Sequence, residues 1–352
     1  MTLVQSFLGE QSLLLWLVLG LVGFVLTWQG ANVVESTTSE MSDHFGVSQA
    51  IQGGIIAAVA TSFPELAITV ISVLVLGEFG TGAGALIGTA VFNILVIPGA
   101  VAVRTGDTPT TRGIVYRDAI FYLVAILGFF AVIALGVIGT DGREVAEITP
   151  QMGIGLMLVY VAYLILIIGG QKRSGSGNGE GRQSTNLPKQ FGLFVGGLFV
   201  VLVGVEFMIG MTLEISTALD APPFLMSVTV LSILSSFPDL LVGVEMGEGG
   251  DQRAAIANVF GTNTFNLVMV LPIGAILASG VSIGFLAAVP LLLFLFYTTL
   301  VVVVLAATDF EISQLEGYFL LGLYVVFLLW MVSEALGLST LLTEQTLRTI
   351  LS

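Results

Sequence analysis

Residues 60–66 read Ala-Thr-Ser-Phe-Pro-Glu-Leu, and residues 234–240 read Leu-Ser-Ser-Phe-Pro-Asp-Leu. Each stretch sets a proline and a carboxylate inside a long apolar run. Proline lacks an N–H and clashes with the carbonyl four residues back. Pro64 is therefore expected to free the carbonyl of Ala60 and disturb that of Thr61. Pro238 is expected to do the same to Leu234 and Ser235. A carbonyl freed at bilayer depth needs a cation or water as partner. A carboxylate there costs ~3 kcal/mol or more, and a cation held between Glu65 and Asp239 would offset that cost. Carboxylates, carbonyls and the hydroxyls of Thr61, Ser62, Ser235 and Ser236, with no nitrogen or sulfur ligand, make a hard-cation set that suits calcium or sodium and not zinc or copper.

A second pair of segments repeats at nearly the same offset. Gly88-Thr89-Ala90-Val91-Phe92-Asn93 returns as Gly261-Thr262-Asn263-Thr264-Phe265-Asn266. Residues four apart share a helix face, so Thr89 points with Asn93, and Thr262 with Asn266. Around these segments lie ten apolar spans, at 12–34, 47–76, 82–103, 115–138, 151–170, 191–213, 222–246, 253–279, 282–306 and 314–336. Five precede the Gly/Ser-rich segment 171–190 and five follow it. An odd number of crossings inverts the second copy relative to the first, the plan of many secondary transporters. The expected fold class is an all-α membrane protein: ten transmembrane helices as two inverted five-helix repeats, with helices two and seven broken at the prolines. The expected domains are 1–170, a cytoplasmic linker at 171–190, and 191–352.

Composition points the same way. Of 352 residues, 56% are hydrophobic and 10% charged, and the mean hydropathy is +1.03. Soluble domains carry roughly 25% charged residues. There is no cysteine and one histidine, which excludes disulfide scaffolds, thiolate metal sites and multi-histidine centres. A net charge of −14 argues against nucleic acid. The acidic, lysine-poor loops are of the kind found in halophiles. Segment 80–84 (Gly-Thr-Gly-Ala-Gly) lacks the lysine of a phosphate loop, and Ser62 and Ser236 have no neighbouring base, so no enzymatic activity is expected.

Eight basic residues fall in connections on one side: Arg104, Arg112, Arg117, Lys172, Arg173, Arg182, Lys189 and Arg253. Only Arg143 and Arg348 fall on the other, which predicts cytoplasmic placement of the linker and external termini. The first apolar run is expected to be retained, without signal cleavage. Trp16, Trp28, Trp330, Tyr116 and Tyr318 are expected as interfacial anchors, and His44 in a polar connection. Asn32 and Glu206 correspond across the repeat; Glu206 is a candidate for coupling or for an access path. Glu245, Glu248 and Asp251 read as a solvated acidic loop.

The two proline–acid segments and the two Gly-Thr segments resemble the α-repeats of the sodium/calcium exchanger superfamily, of the prokaryotic or archaeal type. That resemblance implies calcium on Glu65 and Asp239, with the backbone carbonyls of Thr61 and Ser235. It implies sodium on the same acids plus Ser62, Ser236, Thr89 and Thr262, with Asn93 and Asn266 nearby. It implies Na⁺/Ca²⁺ antiport across the cell membrane by alternating access, spans one and six sliding over the rest, with no cofactor and one chain as the functional unit. Ala60 and Ala90 depart from the family pattern, as do Ser235, Asp239 and Asn266. Two formal negative charges remain, enough for one Ca²⁺ or two Na⁺. A proton-coupled calcium antiporter, or a monovalent cation antiporter, is the alternative on the same fold.

Overall fold

The computed structural model describes residues 12–45, 57–138, 145–173, 186–339 and 342. The described chain is mostly helix. Eight helices or helical runs are long and apolar enough to cross a membrane, and two shorter apolar stretches, Phe63–Leu74 and Pro150–Leu166, lie in the second and fifth expected spans. This is a multi-pass membrane protein.

Helix α1 (Leu13–His44) starts at Ser12, whose hydroxyl caps the Leu15 N–H. It runs ten residues past its expected end. The polar stretch 35–44 stays helical because its hydroxyls bond back to carbonyls three or four residues earlier. Thr37 donates to Val33, Thr38 to Val34, and Ser42 to Thr38. His44 is therefore the last residue of a helix rather than part of a connection. The expected span at 47–76 is seen from residue 57 on, as α2 (Ala57–Thr61) and α3 (Phe63–Leu74); residues 47–56 lie outside the described residues. The break falls at Ser62, and Pro64 sits in the first turn of α3, where its missing N–H costs no helical bond.

Helix α4 (Phe79–Thr105) is buried over nearly its whole length and forms the axis of the molecule. It is followed by β1 (Thr108–Pro109), a π-turn at Ile114–Asp118 leading into α5 (Ala119–Ile138), β2 (Val145–Ile148) and α6 (Pro150–Arg173). Helix α7 (Leu187–Leu219) begins at Asn186, which caps Lys189. Residues 171–173 and 187–190 thus belong to helices and not to the linker. The linker's centre, 174–185, lies outside the described residues.

The expected break in the seventh span is absent. The chain runs from α8 (Pro223–Met226) through a π-turn at Ser227–Leu231 into α9 (Ser232–Glu248), with Pro238 inside the last helix. Side-chain hydroxyls brace the turns before the proline: Ser232 donates to Val228 and Thr229, and Ser235 to Ser232. Helix α10 (Gln252–Phe265) continues through a second π-turn, Asn266–Val270, into α11 (Leu271–Leu277). Then come β3 (Val281–Gly284), α12 (Phe285–Ala307), β4 (Glu311–Ile312) and α13 (Gln314–Ala335), the last with a Ser313/Glu316 capping box. Antiparallel pairing of β2 with β3 and of β1 with β4 ties connections far apart in sequence.

The helices α1 and α7 lie along each other and pack through glycine. A Cβ on Gly204 would stand 2.5 Å from the Gly23 carbonyl oxygen, and one on Gly210 would stand 2.4 Å from the Trp16 ring. Trp16 is fully buried in that contact. It is a packing residue and not the interfacial anchor its sequence position suggests. Tyr116 and Tyr318 are exposed.

Candidate cation site

Helices α3, α4, α9 and α10 bring the repeated segments together. Gly88 is what lets α4 approach so closely: a Cβ there would lie 2.1 Å from the Val228 carbonyl oxygen of the first π-turn. That contact sets Thr89, the next residue, against α9.

Four hydroxyl and carbonyl oxygens then form a chain with one consistent direction. Ser236 Oγ donates to Thr89 Oγ1 at 3.0 Å. Thr89 and Ser235 share a bond of 3.1 Å, and Ser235 Oγ donates to the Ser232 carbonyl at 3.2 Å. Since each hydroxyl has one proton, the protons run Ser236 to Thr89 to Ser235 to the backbone.

One helical turn along α4, Asn93 Nδ2 donates to Asp239 Oδ2 at 3.2 Å and to Asn263 Oδ1 at 3.3 Å. Asn263 Nδ2 in turn donates to the Ala90 carbonyl at 3.1 Å. Asn263 is the residue that sequence reasoning passed over. The signal was present: Asn263 and Ala90 are equivalent positions of the two copies, and the asparagine side chain reaches the backbone where its counterpart has none.

The other half of the set is held differently. Glu65 is 1% exposed, and neither carboxylate oxygen has a hydrogen-bond partner. Thr262 Oγ1 and both side-chain atoms of Asn266 are likewise buried without partners, as is Asn93 Oδ1. Helix α3 packs on the π-turn that begins at Asn266, and α2 packs on α10. Thr61 and Ser62 are buried at the break between α2 and α3.

A buried polar group without a partner costs about 1–3 kcal/mol, so this concentration in one place calls for a ligand. The donor set is oxygen from carboxylate, hydroxyl and amide. It suits Ca²⁺ or Na⁺ as cargo, and among the described residues no cluster of three acidic, histidine or cysteine side chains suits a transition metal.

The further candidates separate. Glu206 is buried on α7, while its counterpart Asn32 is exposed on α1, so the correspondence is not carried into a shared environment. Glu248 is tied to Arg104 at 2.6 Å, and Asp251 caps Ala254 at the start of α10; both have structural partners.

Comparison with known proteins identifies the family. The family model described as sodium/calcium exchanger protein matches residues 15–169 and 189–333. An uncharacterized membrane protein of Methanocaldococcus jannaschii is 26% identical over 313 residues, 87% of this chain and 94% of that one. The sodium/calcium exchanger MaX1 of Methanosarcina acetivorans is 23% identical over 342 residues, 88% of this chain and 96% of its own. A solved structure of the sodium-calcium exchanger NCX_Mj, soaked with Na⁺ and Sr²⁺, superposes with a TM-score of 0.62 at 23% identity. It covers 90% of this chain and 98% of that one.

Proposed function

The chain belongs to the sodium/calcium exchanger family, and from that premise we propose that it exchanges Na⁺ for Ca²⁺ by alternating access. Ten helices cross the bilayer as two inverted repeats, and the ions bind between them near the midplane. The observation that carries this reading is the unpartnered set of Glu65, Thr262, Asn266 and Asn93 Oδ1 beside the bonded set around Asp239.

The bonded set supplies oriented ligands. Asn93 holds Asp239 through its Nδ2, which leaves Oδ1 as a free acceptor. The hydroxyls of Ser236, Thr89 and Ser235 hand protons along and away. Their lone pairs can therefore turn to a cation without a proton being lost. The carbonyls of Thr61 and Ser235 complete the calcium set, and Ser62, Ser236, Thr89 and Thr262 complete the sodium set.

Two carboxylates balance one Ca²⁺ or two Na⁺, so the two loads compete for one pair of charges. An empty pair in a closed, dry site carries uncompensated charge. The transition between inward and outward states therefore proceeds only when the site is loaded, which is the condition for exchange rather than leak. The excess of basic residues in the connections on one side supports a cytoplasmic linker and external termini. One chain is sufficient, since both halves of the site lie in it.

Calcium-45 uptake into sodium-loaded proteoliposomes, against potassium-loaded controls at matched pH, tests this. Uptake is expected only with internal sodium. Uptake that ignores sodium and follows an imposed pH gradient overturns it in favour of proton-coupled exchange.

A further inference from the structure

Among the buried polar atoms without partners, one lies on α10 outside the candidate set: Asn258 Oδ1. Asn258, Thr262 and Asn266 are spaced four apart, which aligns them along one face of the helix. Thr262 Oγ1 and both amide atoms of Asn266 are also buried without partners. The unpartnered atoms thus continue past the site as a line. At 1.5 Å per residue, Asn258 stands about 6 Å from Thr262 toward the start of α10.

Other polar residues of α10 are engaged. Thr264 donates to the Phe260 carbonyl at 2.7 Å. Asn263 is bonded to Asn93 and to the Ala90 carbonyl of α4. Gln252 donates to Thr105 at 3.1 Å, and Asp251 caps the helix at Ala254. The unmade bond at Asn258 costs about 1–3 kcal/mol.

Packing does not call for an amide at this position. In the first copy its counterpart, four residues before Thr89 as Asn258 is before Thr262, is Ala85. Ala85 is 1% exposed and belongs to an apolar cluster with Ala67, Ile68 and Leu231. A methyl group fills that place on α4, and the line of ligands there stops at Thr89. In the inverted arrangement proposed above, Asn258 lies on the cytoplasmic side of Thr262, whereas Ala85 lies on the external side of Thr89.

We propose that Asn258 is a further cation ligand, whose Oδ1 takes Ca²⁺ or Na⁺ one turn to the cytoplasmic side of Thr262. This rests on the ion site proposed above. Amide oxygen is a ligand for both hard cations. A single neutral oxygen replaces only part of an ion's hydration, so the ion stands there partly hydrated and weakly held. A ligand at the approach to a site has to be weak, because an ion must leave it as readily as it arrives. The assignment is one-sided: Asn258 serves ions that exchange with the face bearing residues 249–251, and α4 offers no equivalent oxygen to the other face.

Exchange is measured in inverted and in right-side-out membrane vesicles, which present the two faces separately. Asn258→Leu is expected to raise the calcium and sodium concentrations for half-maximal exchange roughly three- to tenfold on the face of residues 249–251. The opposite face is expected to stay at the parent values. A rise for one cation alone assigns the ligand to that ion. Asn258→Asp, which keeps the oxygen, is expected to need no more of either cation than the parent. In ion-free detergent, Asn258→Leu is expected to melt at or above the parent temperature, since it removes a buried group without a partner. Equal rises on both faces, no rise on either, or a lowered ion-free melting temperature mark a packing role and overturn the proposal.

The chain has no cysteine, so Asn258→Cys reports without background. It is expected to react with a small membrane-impermeant methanethiosulfonate from the face of residues 249–251 faster than the buried apolar control Ile94→Cys, and calcium or sodium is expected to slow it more than choline does. Reaction no faster than that of Ile94→Cys, or only from the opposite face, overturns the ligand. Labelling needs no turnover, so absence of sodium-driven uptake by the parent protein sinks the exchange reading while Asn258→Cys still decides this one.

Discussion

Glu65 and Asp239 carry the same charge at matching positions of two similar segments, yet their surroundings differ. Asp239 is held by Asn93, and Asn93 by Asn263; neither carboxylate oxygen of Glu65 has a hydrogen-bond partner. On the proposed mechanism both are indispensable: Glu65→Gln and Asp239→Asn should each abolish sodium-driven calcium-45 uptake. Their stabilities should part from each other. Glu65→Gln removes a buried charge that nothing compensates in the absence of ions, so its melting temperature in ion-free detergent should equal or exceed the parent's. Asn263→Ala takes a partner from Asn93 and from the Ala90 carbonyl, at a cost of about 1–3 kcal/mol. A lower melting temperature together with a raised calcium requirement is the expected result. The oxygen chemistry of the site was legible in the sequence, because residue type and proline position alone name a hard-cation set. The inequality of the two acids was not. It depends on partners 146 and 170 residues away, and on Ala90 having only a methyl group where Asn263 has an amide.

At the scale of the element, the same tetrapeptide context folds in two ways. Phe63-Pro64-Glu65 starts a helix, while Phe237-Pro238-Asp239 lies inside one. A proline rule predicts a break in both. The difference arises upstream, where hydroxyl-to-carbonyl bonds from Ser232 and Ser235 brace the helix through Pro238. Back-bonding hydroxyls also extend α1 through a polar stretch that hydropathy reads as a loop. Apolar runs thus locate the helices well, but side-chain bonds decide where they stop. The π-turn at Ser227–Leu231 is the point where α4 touches this run most closely, through Gly88. Gly88→Ala forces a methyl group against the Val228 carbonyl and the Ser232 side chain. It is expected to cost about 1–3 kcal/mol and to displace Thr89 from Ser235. A drop in melting temperature with a weakened sodium response checks this; unchanged behaviour of both would show that the helices can part there freely.

For the molecule as a whole, the long pair α1 and α7 stands apart from the rest in how it is packed. Its mutual contact runs along Gly20, Gly23 and Gly30 on one helix and Gly197, Gly204 and Gly210 on the other. Its outward faces carry exposed Leu14, Leu21, Val25, Phe191 and Phe199, suited to lipid. Elsewhere the pair meets α9 through Phe24 on Phe237 at 5.7 Å, and Phe63 through Phe194 at 5.9 Å. Those ring contacts sit beside the two proline–acid segments. Backbone-to-backbone contact within the pair favours motion as one body, while ring contacts against the core can be exchanged one for another. On the proposed mechanism the charged site stays with α3, α4, α9 and α10, and movement of the pair changes access without dismantling the ligands. That division has a kinetic consequence. Gly204→Ala presses a methyl group on the Gly23 carbonyl and Thr27 and loosens the pair, at residues outside the candidate ligand set. The maximal exchange rate should fall several-fold, on the order of 1 kcal/mol in the barrier, while the half-saturating concentrations of calcium and sodium stay at the parent values. A shift in either concentration with the rate preserved would mean that the pair contributes to the site itself and does not act as its gate.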